Sequence, residues 1–287
     1  MKKYLGWILA IAMLLGMSAM AEGPVTDIGG RELAAGESVQ LDLDGDGAVE
    51  QLTWRTIVEG EYGDESVELE VVSASGEATA WISDNLWGAR VYAVDLDSDG
   101  RTEIFVSGDE MSDDYFTSCL HYANGALSPL TFPDVNRGEN TSDCFDYGYG
   151  QVTGFGENAV TLTGSQDVLG TYFGSRTFTL SGEAFALADD GLWRFERDFE
   201  NPEIWEYGCL TLKQSLGATL ADGSETTLEP GDKLVITASD KVSVAYFQTR
   251  DGRAGTLPIE ADAEKGWGMK VNGVSEDELF EYVPYAD

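Results

Sequence analysis

Two stretches of this chain carry carboxylates at a spacing that suits a metal ion. The first is Asp42-Leu43-Asp44-Gly45-Asp46-Gly47-Ala48-Val49-Glu50, and the second is Asp95-Leu96-Asp97-Ser98-Asp99-Gly100-Arg101-Thr102-Glu103. Each places carboxylates at positions one, three, five and nine, with glycine at six. Four carboxylates around one point repel one another, and a dication removes that repulsion. Calcium takes such oxygen sets in flexible geometry, whereas magnesium demands a tight octahedron and keeps its waters. Asp42, Asp44, Asp46 and Glu50 are the side-chain ligand candidates of one loop, and Asp95, Asp97, Asp99 and Glu103 those of the other. Glycine at six permits the sharp bend. Position twelve holds Thr53 and Val106 instead of glutamate, which excludes an EF-hand. Either copy alone reads equally well as a solvated Asp-Gly turn. The matched pair favours metal, in a structural role, because the protein's own ligands saturate each loop.

Other chemistry is sparse. The single histidine, His121, lies two residues from Cys119 in an apparent strand, on the same strand face. A histidine-dependent nucleophile would need it, but a strand histidine is more often structural. No nucleophile elbow, phosphate-binding glycine loop or zinc motif is present. A carboxylate pair of the glycosidase kind leaves no spacing signature and stays open. Asp109, Glu110, Asp113 and Asp114 form a further acidic run, read as a solvated loop tip, a metal-site extension or the lining of a groove. Trp193, Phe195, Trp205, Tyr207, Tyr246, Phe247 and Trp267 offer either core or a binding surface.

The elements that position these residues read as β almost throughout. Val39–Leu43, Ser66–Val72, Val91–Asp95, Ile104–Ser107, Val160–Thr163 and Thr177–Leu180 alternate apolar and polar residues between Gly-, Asp- and Asn-rich turns. Each acidic loop sits between two such strands, and the loops start 53 residues apart, a repeat near the length of a propeller blade. A third unit would begin near Asp146, where Gly148 and Gly150 replace the carboxylates. A short helix is expected at Ser275–Phe280, with Ser275 as cap and Glu278 completing a capping box.

The net charge of the 287 residues is −35 with 43% hydrophobic content, which supports packed cores and argues against nucleic acid or anionic membranes as partners. Lys2, Lys3, the apolar run Trp7–Met17 and Ser18-Ala19-Met20-Ala21 read as a signal peptide over 1–21, so the expected location is secreted or cell-wall associated, without membrane insertion after cleavage. Residues 22–200 hold 36 acidic residues against 8 arginines and no lysine, whereas 201–287 hold 16 against 7 basic ones. The shift places a domain boundary near residue 200. Cys119 and Cys144 could pair within the first domain, leaving Cys209 free, or all three could be buried thiols.

The Asp-x-Asp-x-Asp-Gly-x-x-Glu loops flanked by strands resemble the calcium loops of integrin-type β-propeller repeats of the FG-GAP or VCBS kind. That resemblance implies that Ala48 and Arg101 add a backbone carbonyl to the ligand sets. It implies about three units in 22–200, fewer than a closed propeller needs, so the domain is a partial or irregular propeller-like assembly or another all-β arrangement. Leu228-Glu229-Pro230-Gly231-Asp232-Lys233-Leu234-Val235-Ile236 resembles the opening of a bacterial SH3-like barrel, expected over 201–287. The tail, with Trp267-Gly268 and Val271-Asn272-Gly273-Val274-Ser275-Glu276-Asp277-Glu278, resembles the tails of secreted proteins of gut-dwelling Gram-positive bacteria, and that resemblance extends over the whole chain. The expectation is thus an all-β, calcium-binding, non-enzymatic module for protein, peptide or cell-wall glycan, with a secreted glycoside hydrolase or lyase as the alternative.

Overall fold

The computed structural model describes residues 30–59, 63–110, 114–133 and 144–286. The expected signal peptide and Asp113 lie outside this set. The described fold is all-β, and no helix in it is long and apolar enough to cross a membrane.

β1 (Arg31–Leu33) is followed by β2 (Ser38–Leu41), β3 (Glu50–Glu59), β4 (Asp64–Val72) and β5 (Ala78–Ser83). β2 to β5 pair in sequence order as an antiparallel meander. Period-two alternation sets its register: Leu52 lies opposite Val39 and Val71, and Leu69 opposite Trp54 and Trp81, so all point to one face. β6 (Trp87–Val94), β7 (Glu103–Asp109), β8 (Tyr115–Ala123) and β9 (Ala126–Pro129) form a second antiparallel meander, with β1 on the outer edge of β6.

β10 (Phe132–Pro133), β11 (Cys144–Phe145) and β12 (Gly148–Tyr149) are short, and β12 caps the free edge of β8 near its start. A third meander follows, built from β13 (Gln151–Gly156), β14 (Ala159–Asp167), β15 (Thr171–Ser181) and β16 (Ala184–Leu187).

Sidedness explains how the meanders pack. The second is apolar on both faces, which is why residues 103–108 of β7 are all buried. Val91, Ile104, Val106 and Leu120 meet Leu52, Val67 and Leu69 of the first meander in one core. Tyr92, Phe105 and Cys119, on the opposite face, meet Val160, Leu162, Phe178 and Phe185 of the third in another. Truncating Phe105 to alanine would cost about 3–5 kcal/mol by the usual scale for buried aromatics.

The chain continues through β17 (Trp193–Phe195), a 3-10 turn at Pro202–Trp205, and β18 (Leu210–Thr211), β19 (Leu216–Leu220), β20 (Glu225–Leu228), β21 (Lys233–Ser239), β22 (Val244–Thr249), β23 (Ala254–Ala261), β24 (Met269–Val271), β25 (Val274–Ser275) and α1 (Glu276–Leu279). β17 pairs β15 on one side and β21 on the other, so the ladder crosses residue 200. Tyr172, Trp193 and Phe195 share a core with Leu210, Leu234, Phe247 and Phe280. The charge shift near residue 200 therefore coincides with no break in sheet or core. The C-terminal strands form an open, antiparallel sheet and not the closed barrel expected there. Lys241 in the β21–β22 turn donates to Gln166 Oε1 at 3.0 Å, tying that sheet to β14. Ser275 stands at the N-cap of α1 without a capping bond. Its hydroxyl accepts from the Lys265 ammonium at 2.6 Å, so the expected capping box does not form.

Candidate metal centres and the cleft opposite them

Each acidic loop joins the first strand of a meander to its second: 42–49 links β2 to β3, and 95–102 links β6 to β7. The two are built alike. Position nine accepts from the amide of position two: Leu43 N to Glu50 Oε2 at 2.9 Å, and Leu96 N to Glu103 Oε2 at 2.9 Å. The Asp42 carboxylate accepts from Gly45 N and Gly47 N at 2.9 and 3.0 Å. That of Asp95 accepts from Asp99 N and Gly100 N at 3.1 and 3.2 Å. Asp46 and Asp99 accept from the amides of Ala48 and Arg101 at 2.7 and 2.8 Å. Gly47 and Gly100 take φ of +87° and +89°, the left-handed region that favours glycine at position six.

These bonds turn the carboxylates inward. Ligand atoms of Asp42, Asp44 and Glu50 lie within 4.8 Å of one another, and so do those of Asp95, Asp97 and Asp99. Asp46 stands outside the first triad and Glu103 outside the second. Both glutamates are buried at the feet of β3 and β7. Burial first, then the neighbouring aspartates, raises the Glu50 carboxyl above its ordinary range and pushes Glu103 to about 7. Asp97 Oδ1 is buried without a donor. A cluster of oxygen acceptors with raised carboxyls and an orphan oxygen fits a hard cation. The loops differ at position seven. Ala48 is neutral, whereas the Arg101 guanidinium ion-pairs with Asp99 and holds that carboxyl below its usual range.

The loops also touch. Thr102 N donates to Leu43 O at 3.1 Å, and a Cβ placed on Gly45 would lie 3.1 Å from Gly100 O. One meander further on, Asn158 N donates to Leu96 O at 2.9 Å in the same manner. The third meander therefore has its first hairpin at the tight turn Glu157-Asn158, where Asn158 takes φ +56°. Gly148, expected to lie in a degenerate third loop, belongs to β12, and that loop is replaced by the turn.

At the end of the sheets away from these loops, the first core opens into a cleft. It is a cavity of about 140 Å³ lined by Asp84, Asn85, Glu110, Phe116, Ser118 and Tyr147 among others. A neighbouring depression shares Asn85 and Glu110 and adds Asp64, Trp87 and Asp114. Phe116 meets Tyr147 edge-on and Tyr149 obliquely, each at 5.0 Å, and Phe145 stacks on Tyr147 at 5.4 Å. Gly108 packs closely against Leu86, which lines the cavity: a Cβ on Gly108 would lie 2.7 Å from Leu86 Cγ. Asn85 turns the chain at φ +54°. Of the acidic run noted in the sequence, Glu110 and Asp114 face this cleft. The other lining residues come from separate segments with no common spacing.

The remaining candidates lie apart from the loops and the cleft. His121 is half-buried opposite Ser128 in β8. Cys119 is a free thiol, fully buried, and burial holds its pKa well above the ordinary thiol range, so it is a poor nucleophile. Its expected bridge to Cys144 is therefore absent here, and the Cys144 side chain lies outside the described set. Cys209 is also a free, buried thiol. Trp193, Phe195, Trp205 and Phe247 are core, whereas Tyr207, Tyr246 and Trp267 are exposed, with the Lys265 ammonium 5.5 Å from the Trp267 ring centre. Comparison with protein-family models, with curated proteins and with solved structures finds no match to this chain.

Proposed function

We propose that this chain is an exported calcium-binding protein acting as a non-enzymatic interaction module, for protein, peptide or cell-wall glycan at the cell surface. The observation that carries the metal reading is the pair of acidic loops with matching hydrogen bonds, locked to each other through Thr102 and Leu43. Calcium is the ion of choice because the donors are all oxygens on a flexible loop. Its role is structural: it neutralises the carboxylates and pins two sheets at one end. The position of each loop between the first and second strands of a four-stranded meander supports kinship with integrin-type calcium repeats. The N-terminal segment 1–21 supports export into a calcium-rich setting. The aromatic and acidic cleft at the other end supports the binding role.

Chelation tests the metal reading. The melting temperature of the full chain is expected to fall in chelator and recover with calcium, since a ligand of the native state stabilises it. An unchanged melting temperature overturns it. A second reading, a glycoside hydrolase or lyase, gains from Asp84 and Glu110 lining one cavity. Hydrolysis of a glycan, abolished by Glu110→Gln, would establish it.

A further inference from the structure

We propose that the cleft between Asp84, Glu110, Phe116 and Tyr147 binds an alkylammonium group, the side chain of a lysine-bearing peptide. This rests on the binding-module reading and names its ligand class. The walls decide the charge. Asp84 and Glu110 line the cavity, Asp64 and Asp114 line the adjoining depression, and among the described residues no lysine or arginine lines either. Such a cleft concentrates cations. A bare metal ion is the poorer guest. Among the described residues only the two loops bring three acidic ligands within 4.8 Å, and these four carboxylates form no such group. Spread acceptors suit a cation that carries several N–H donors on an extended stem.

The rings decide the kind of cation. Phe116 and Tyr147 line the cavity and Trp87 the depression. Aromatic rings attract organic cations through their quadrupole and cover the methylene stem as well. Size decides the extent. About 140 Å³ is close to the roughly 150 Å³ that accommodates a benzene-sized group. It takes one side chain and not a sugar chain, and the depression beyond Glu110 offers a place for a second. Ser118 and Asn85 supply neutral oxygens for the remaining N–H groups. The site is shaped before any ligand arrives, by Gly108 packed under Leu86 and by the left-handed Asn85.

The test is calorimetric titration of the full chain, in saturating calcium, with acetyl-Lys-Lys-Lys-amide. Its norleucine counterpart and a neutral glucan oligomer serve as comparisons. Binding of the lysine peptide alone is expected, weakening as salt rises. Glu110→Gln and Phe116→Ala should each weaken it by about tenfold. Glu281→Gln, an exposed carboxylate in the C-terminal segment, should leave it within about twofold. Glu110→Gln alters one exposed loop residue, so it keeps the test valid if Phe116→Ala fails to fold. Equal weakening by Glu281→Gln would mean diffuse attraction to an acidic protein and would overturn the proposal. So would tighter binding of the glucan, or no binding of the lysine peptide. A calcium titration of each sample separates the two readings. Calcium bound without peptide ends the cleft proposal alone, and peptide bound without calcium ends the metal reading alone.

Discussion

Glu103→Gln is expected to act with opposite sign in chelator and in calcium. Glu103 is only 4% exposed, so water screens it little, and it faces Asp95, Asp97 and Asp99. Its carboxyl moves from 4.5 to about 7 in the metal-free fold. Because the folded value lies above the unfolded one, its contribution is full below about 4.5 and is lost as pH rises through about 7. At 1.36 kcal/mol per unit, ionising it at pH 8 costs the metal-free fold about 3 kcal/mol. Glutamine carries no charge, yet its side-chain oxygen still accepts from Leu96 N. In chelator at pH 8 the variant should therefore be about 2–3 kcal/mol more stable than the parent, a rise of roughly 4–9 °C in Tm for a chain of this size. In excess calcium the order should reverse, since the variant lacks a ligand and forfeits part of the binding energy, about 2.7 kcal/mol at a hundredfold excess over Kd. Urea unfolding at pH 8 under both conditions gives both numbers. Equal destabilisation in chelator and calcium would refute the reasoning and leave Glu103 a simple hydrogen-bond anchor.

Three further outcomes follow from the same physics. Gly45→Ala should cost about 1–3 kcal/mol and weaken calcium binding at the second loop, because its Cβ meets Gly100 O at 3.1 Å. Gly47→Ala has only backbone strain to bear and should leave the second loop intact, as calorimetry on both variants would show. Burial lowers Lys241 from 10.5 to about 8, so its contribution is full above about 10.5 and lost as pH falls through about 8. Lys241→Met should raise stability at pH 7 by about 2 kcal/mol after the lost Gln166 bond, and should flatten the pH profile measured by urea unfolding between those values. Cys119 should resist a thiol reagent in native buffer and react on the timescale of opening of its core, read by mass spectrometry of labelled peptides.

The loops were legible because their chemistry is local. Nine consecutive residues hold every candidate ligand, the turn glycine and the strand start, so spacing alone exposed them. The strands were legible for a similar reason: Leu52, Leu69 and Val160 sit in period-two patterns that force one face inward. What depends on distant partners did not show. The cleft needs Asp84, Glu110, Phe116 and Tyr147 from four segments, and no spacing links them. Glycine alternation around Gly148 and Gly150 looked like a decayed loop, but Gly150 lies close against Thr163 and its amide bonds Tyr115 O, a packing role invisible in one sequence. The core does not follow the change in charge near residue 200: Trp193 packs with the later strands although it precedes the change. Ser275 has the residue type and place of a helix cap, yet Lys265 takes its hydroxyl.

Calorimetric titration of the full chain with calcium tests the central claim most directly. The account predicts binding of two ions per chain, both abolished in the double variant Asp44→Ala, Asp97→Ala, with the strands retained by circular dichroism. No heat at millimolar calcium, or unchanged binding in the double variant, would contradict it.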